Sequence, residues 1–263
     1  MINSIQHKRL WGILCLALVL VALLGVIPSH SVSAASPGMP SARWIVPKNP
    51  KAVVVVIHGG SWWGNDPRLV DAMVPWAQTF SNRANAVTMN IDYDPGVNSL
   101  PQVIQSYDLA KSKFPNLPIC VAGGSAGGNL AMLLATHRRP NCVISEAGPT
   151  DISTTDASVK NSAAFLLGEA NFRAWSPLFV TGRINTPTLL VSATNDPYVP
   201  HTTQAVPYKK RYPAATLVTL TPGDQKGQFI HSQVGSQQLA NARTREVNLV
   251  LNVAKQFRAA QRK

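Results

Sequence analysis

A Gly-x-Ser-x-Gly run, Gly123-Gly124-Ser125-Ala126-Gly127, is the segment of this chain best suited to covalent chemistry. It follows an apolar stretch at residues 118–122 and leads into Gly128-Asn129-Leu130-Ala131-Met132-Leu133-Leu134-Ala135. A serine on a sharp strand-to-helix turn holds its hydroxyl clear of neighbours, ready to attack a carbonyl. The flanking glycines remove side chains where strand and helix crowd together. The helix N-terminus beside it favours developing negative charge. A phosphate loop is the competing reading, but no Lys-Ser/Thr follows and the glycines lack dinucleotide-fingerprint spacing.

A second run, His58-Gly59-Gly60-Ser61-Trp62-Trp63-Gly64, closes the apolar stretch Ala52–Ile57. A loop without Cβ atoms can approach a reacting carbonyl closely. Its N–H groups, with that of Ala126, would hold a tetrahedral oxyanion. His58 is read as a brace for this loop rather than as a base or ligand. Trp62 and Trp63 would form an acyl or aryl wall, or else be core or surface aromatics.

Positioning these groups requires alternating strands and helices. Residues 52–57 (AVVVVI) form a continuous β-branched run, the mark of a strand buried on both faces. Further strands are expected at 86–91, 118–122, 142–145, 188–192 and 216–220. Helices are expected at 67–81, 100–113, 127–138, 202–212 and 236–259. In the last, Val247, Val250, Leu251, Ala254 and Phe257 recur at helical steps and would face the core, with Arg and Lys outside. The pattern is α/β, a mostly parallel central sheet with helices on both faces. Residues 148–185 lack a strand signal and are too few for a large cap domain.

With both glycine motifs in place, the chain resembles the α/β-hydrolase superfamily. It is most similar to the carboxylesterase branch with a His-Gly-Gly loop, which includes hormone-sensitive-lipase-like, feruloyl and acetylxylan esterase relatives. The resemblance runs from Ala52 to the last helix. It implies an α/β-hydrolase fold and backbone donors at Gly60 and Ser61, with Ser61 standing where many relatives carry a third glycine. It also implies the order serine, acid, histidine. Asp196, in Asp196-Pro197-Tyr198-Val199-Pro200, matches the family's acid segment just past a strand end. Asp151 and Asp156 are the alternative acids. His231 lies in the loop before the final helix, where the family keeps its base, and His201 is the alternative base. The implied activity is ester hydrolysis through Ser125, Asp196 and His231. A small prolyl-oligopeptidase-like peptidase and an inactive binding protein are the rival functions.

The rest of the chain sets the setting. His7, Lys8 and Arg9 precede an apolar run at 10–27, and small residues follow to Ala34 and Ala35. This is the form of an export signal over 1–34, followed by a Pro/Ser-rich lead-in at 35–50 and a catalytic domain at 51–263. Left uncleaved, the run would anchor the chain in a membrane. Export places Cys120 and Cys142 in an oxidising compartment, where they would either bridge or remain buried thiols. The net charge of +12 offers a basic surface without a long Lys/Arg block, and no nucleic-acid partner is expected. There is no Cys-x-x-Cys and no His pair at helical spacing, so no metal or other cofactor is expected. The expected substrates are small or polysaccharide-linked esters with short acyl or aryl groups.

Overall fold

The computed structural model describes residues 41–182 and 186–262. The expected export signal and the start of the lead-in lie outside the described residues. Seven strands form one sheet in the order β1-β3-β2-β4-β5-β6-β7. They are β1 (Ala42–Ile45), β2 (Ala52–Ile57), β3 (Ala86–Ile91), β4 (Ile119–Gly124), β5 (Cys142–Glu146), β6 (Thr188–Ala193) and β7 (Thr216–Leu220). β1 runs antiparallel to β3, and the other pairings are parallel. The helices are α1 (Pro67–Ala72), α2 (Val74–Ala84), α3 (Ser99–Lys113), α4 (Ala126–His137), α5 (Ala157–Leu167), α6 (Pro177–Val180), α7 (Ala205–Arg211) and α8 (Ser236–Gln261). A hairpin of β8 (Lys226–Phe229) and β9 (Ser232–Gly235) stands apart from the main sheet. Among the described residues no helix is long and apolar enough to cross a membrane.

Strand pleating divides the core in two. Val53, Val55, Ile57 and Val121 face Val103 and Tyr107 of α3 and Leu130 and Leu134 of α4. Val54, Val56, Ala122 and Ile144 face Trp76 and Phe80 of α2 and Val247 and Val250 of α8. Every residue of β2 is buried, as its unbroken β-branched run requires. Cys120 and Cys142 are directly opposite on β4 and β5 and point to the α2/α8 face. The structure joins them in a disulfide.

Three expectations are corrected. The lead-in is not all exposed, because β1 adds an antiparallel edge to β3 and half-buries Trp44 against Phe114. The single helix expected over 67–81 is two, separated at Met73. Pro75 has no N–H to continue the α1 ladder and is tolerated only at the start of a new helix. In α8, Leu251 and Phe257 are half-buried, whereas Arg243, which was expected on the outer face, turns inward with a side chain only 22% exposed.

Candidate active site

The sheet order reverses between β2 and β4. The chain leaves β2 toward β3 on one side and leaves β4 toward β5 on the other. Such a switch point opens a crevice at the carboxyl ends of the strands. Both glycine motifs sit at this crevice, the His-Gly-Gly run after β2 and Ser125 after β4.

Ser125 joins β4 to α4 with φ 53° and ψ −125°. That backbone is unfavourable for any residue with a Cβ, by about 1–3 kcal/mol. It is held by packing that only glycine permits, since a Cβ on Gly123 would overlap Gly127 and one on Gly127 would overlap the Ile57 carbonyl. The Ser125 N–H donates to the Glu146 carbonyl at 2.8 Å, tying the turn to β5. His231 occupies the turn of the β8/β9 hairpin, an element without a clear sequence signal. Its Nε2 lies 3.0 Å from Ser125 Oγ, and its Nδ1 lies 2.9 Å from Asp196 Oδ2. Asp196 follows β6 and is buried. Its Oδ1 accepts from the N–H groups of Tyr198 and Val199, both at 2.9 Å, which fixes the carboxylate. Serine, histidine and aspartate thus form one continuous hydrogen-bonded chain.

The alternative residues lie elsewhere. His201 Nδ1 faces Ser192 Oγ at 3.1 Å, and burial pushes its pKa down. The Asp151 carboxylate accepts from the Ser153 N–H and hydroxyl. Asp156 caps α5 by accepting from Ser158, which holds its carboxyl below the usual range.

Gly60, Ser61 and Trp62 adopt φ of 100°, 50° and 62°, and Trp63 N–H closes the turn on the Gly60 carbonyl at 2.9 Å. Only at Gly60 is this left-handed backbone free of cost. Gly60 and Ser61 line a cavity together with Ser125 and His231. Ala126 begins α4, whose first N–H groups have no intrahelical partner. His58 braces the loop from behind. Its Nε2 faces Asp92 Oδ1 at 3.0 Å, its Nδ1 faces the Gly59 carbonyl, and its ring stacks on Tyr93 at 4.2 Å. The Tyr93 hydroxyl donates to the His58 and Gly59 carbonyls, and burial raises its pKa.

The tryptophan wall is a correction, for neither residue lines the cavity. Trp62 is fully buried, its Nε1 donating to Asn129 Oδ1 at 3.2 Å. The positive φ at 61 and 62 turns the side chain into the core, where it ties the loop to α4. Trp63 is 46% exposed and stacks on Phe165 at 5.8 Å. Trp62→Ala should therefore cost about 3–5 kcal/mol in urea unfolding. Trp63→Ala should cost about 1 kcal/mol or less.

The cavity measures about 540 Å³. Leu69, Met73, Trp76, Phe229, Ile230 and Tyr198 supply apolar walls, and two charged residues, Glu146 and Arg243, also line it. Arg243 Nη1 donates to Glu146 Oε1 and, at 3.1 Å, to Glu246 Oε2. Its guanidinium lies 5.0 Å from the Trp76 ring centre, and Trp76 Nε1 donates to Glu246 Oε2 at 2.8 Å. Burial pushes the Glu146 carboxyl well above its usual range, against the pull of Arg243. A carboxyl with a raised native pKa binds a proton that the unfolded chain has released. Stability therefore falls as pH rises from the ordinary glutamate range through the native pKa. Glu146→Gln should remove this loss, and thermal unfolding from pH 5 to 9 should show the variant gaining on the wild type as pH increases. Among the described residues no cluster of three or more His, Cys, Asp or Glu could hold a metal ion.

Residues 45–210 match the BD-FAE family. No curated protein sequence matches the chain. Among solved structures, a truncated carbohydrate esterase from gut microbiota aligns with a TM-score of 0.67 at 15% identity, over 82% of this chain and 91% of that one. An esterase/lipase from an uncultured bacterium aligns at 0.64 and 14% identity, over 86% and 83%. An acetyl ester-xyloside bifunctional hydrolase from Caldicellulosiruptor lactoaceticus aligns at 0.60 and 17% identity, over 90% and 94%. These likenesses show the fold. The family match spans more than half of the sequence, and with the architecture above it leads to one conclusion: the chain belongs to the BD-FAE family, in the esterase branch of the α/β-hydrolase superfamily, and is an esterase-type hydrolase.

Proposed function

We propose that this chain is an exported serine esterase that cleaves small or carbohydrate-linked carboxylic esters through Ser125, His231 and Asp196. The observation that carries the reading is the unbroken chain from Asp196 through His231 to Ser125 at the edge of the cavity. Ser125 Oγ attacks the ester carbonyl while His231 Nε2 takes its proton. Asp196 holds the imidazole so that Nε2 faces the serine, and stabilises the imidazolium that forms. The Gly60, Ser61 and Ala126 N–H groups receive the oxyanion. His231 then protonates the leaving alcohol, and water activated by the same ring cleaves the acyl-enzyme.

The cavity volume and the lack of a large insert favour a short acyl or aryl group in soluble substrate. Two structural neighbours are a carbohydrate esterase and an acetyl ester-xyloside hydrolase, which supports a sugar-linked ester. The export reading of residues 1–34 is supported by the buried Cys120–Cys142 bridge, a bond suited to an oxidising compartment.

The test is kcat/KM on 4-nitrophenyl acetate and butanoate against peptide 4-nitroanilides, with a fluorophosphonate labelling Ser125. The esters should be cleaved much the faster, with no rate jump when the substrate aggregates. A preference for anilides would make the protein a peptidase, and a jump on emulsions would make it a lipase.

A further inference from the structure

An apolar pocket for an alkyl chain has no use for a guanidinium, yet Arg243 lines the cavity that holds Ser125. Its placement is built rather than incidental. Glu146 and Glu246 hold Nη1 from two sides, and the Trp76 ring lies against the guanidinium plane. Every side-chain hydrogen bond that fixes the group leaves from Nη1. Nε and Nη2 make none among the described residues. A guanidinium carries five donors in a rigid fork, so an edge with three N–H bonds is left for something else. The side chain keeps 22% of its surface exposed.

The anchor is also close to the chemistry. Glu146 is the register partner of Gly124, the residue before the nucleophile, and its carbonyl accepts the Ser125 N–H. A Cβ at Gly124 would overlap the Ile230 side chain, 2.8 Å away, and Gly124, Glu146 and Ile230 all line the cavity.

We propose that Arg243 is a specificity-determining residue of the esterase site, held by Glu146 and Glu246 to donate hydrogen bonds to a neutral oxygen of the bound substrate: a hydroxyl, ether or ring oxygen of the acyl or alcohol group. The charges of the cluster select this class of ligand. The two glutamates already supply the arginine's counter-charge, so an anionic group entering the cavity would meet buried carboxylates without an uncompensated cation. One guanidinium set between two carboxyl groups leaves the trio without net positive charge whichever protonation state Glu146 takes. An alkyl chain would cover the free edge and leave its donors unpaired. A site arranged to bond an oxygen discriminates strongly against the analogue that lacks it.

This inference rests on the esterase reading and goes beyond it by naming what the cavity reads. The test uses the full chain and pairs of esters in which one CH2 is replaced by oxygen. On the acyl side the pairs are 4-nitrophenyl butanoate with methoxyacetate, and hexanoate with 4-methoxybutanoate. On the alcohol side the pair is butyl acetate with 2-methoxyethyl acetate. Each oxygen-to-hydrocarbon ratio of kcat/KM is compared between wild type and Arg243→Met, so intrinsic reactivity cancels. In at least one pair the ratio should fall about fivefold or more in the variant, and Arg243→Lys should recover part of it. The responding pair identifies the acyl or the alcohol group as the one bound. A smaller change in every pair overturns the proposal.

The wild type alone gives a second measurement, which does not depend on the variant folding. Its ratio, divided by the ratio of the two esters' hydroxide hydrolysis rates, should exceed one in some pair. A value of one or less throughout also overturns the proposal. Failure of the esterase reading looks different: no ester in any pair is turned over and Ser125 takes no label.

Discussion

Ser125→Ala and His231→Ala are each expected to lower kcat by several orders of magnitude, up to roughly a million-fold, with thermal unfolding close to that of the wild type. In the proposed mechanism Ser125 Oγ and His231 Nε2, 3.0 Å apart, exchange one proton, so removing either leaves the other without a function in the chemical step. The double variant should therefore be scarcely worse than either single one. His201→Ala is the control. Its imidazole pairs with Ser192 Oγ, and the variant should keep nearly full activity. Steady-state kinetics on a 4-nitrophenyl ester decides the matter. An inactive His201→Ala beside an active His231→Ala would reverse the assignment of the base.

Asp196→Asn should lower kcat by about 10⁴-fold while the protein stays folded. The reason lies in what holds the carboxylate. Oδ1 accepts from two backbone N–H groups, so an asparagine must turn its carbonyl oxygen to them. Its amide N–H2 then faces His231 Nδ1 and donates to it. The imidazole responds by carrying its proton on Nε2, the atom that has to receive one from Ser125. The loss belongs to kcat far more than to KM, and pre-steady-state acylation rates would locate it in the first step. A variant within about tenfold of the wild type would show that Asp196 does not orient the base.

Much of this was legible because it is local. β2, β3 and β7 fall where their β-branched runs place them, and the two glycine motifs name their own strand ends. What escaped is nonlocal or only weakly patterned. The β8/β9 hairpin is short, polar and interrupted by Gly227, so its alternation is lost in four-residue strands. The Pro-rich lead-in hid β1, whose pairing is decided by β3 nearly fifty positions away. Trp62 and Trp63 are neighbours in sequence, and only the positive φ at Ser61 and Trp62 sends one inward and the other out. Asp92, Tyr93 and Asn129, which brace the oxyanion loop, have no motif at all. Arg243 reads as part of the outer face of the last helix because charged side chains are rarely buried unless paired. The partner that draws Arg243 in is Glu146, 97 positions earlier.

The bridge between β4 and β5 encloses more than two strands. Its cysteines are 22 positions apart, and the intervening chain contains the whole nucleophile turn and all of α4. The segment bearing Ser125 is thus closed into a covalent ring that persists when the oxidised chain unfolds. Closing a ring of that size removes conformational freedom from the unfolded chain, an effect of about 3 kcal/mol in favour of the native state. It also changes what a cut does. Hydrolysis of a peptide bond anywhere between the two cysteines would leave both halves of the polypeptide tied through the middle of the sheet, with β4 and β5 still side by side. The part of the chain that carries Ser125 is therefore the part that a single nick cannot release.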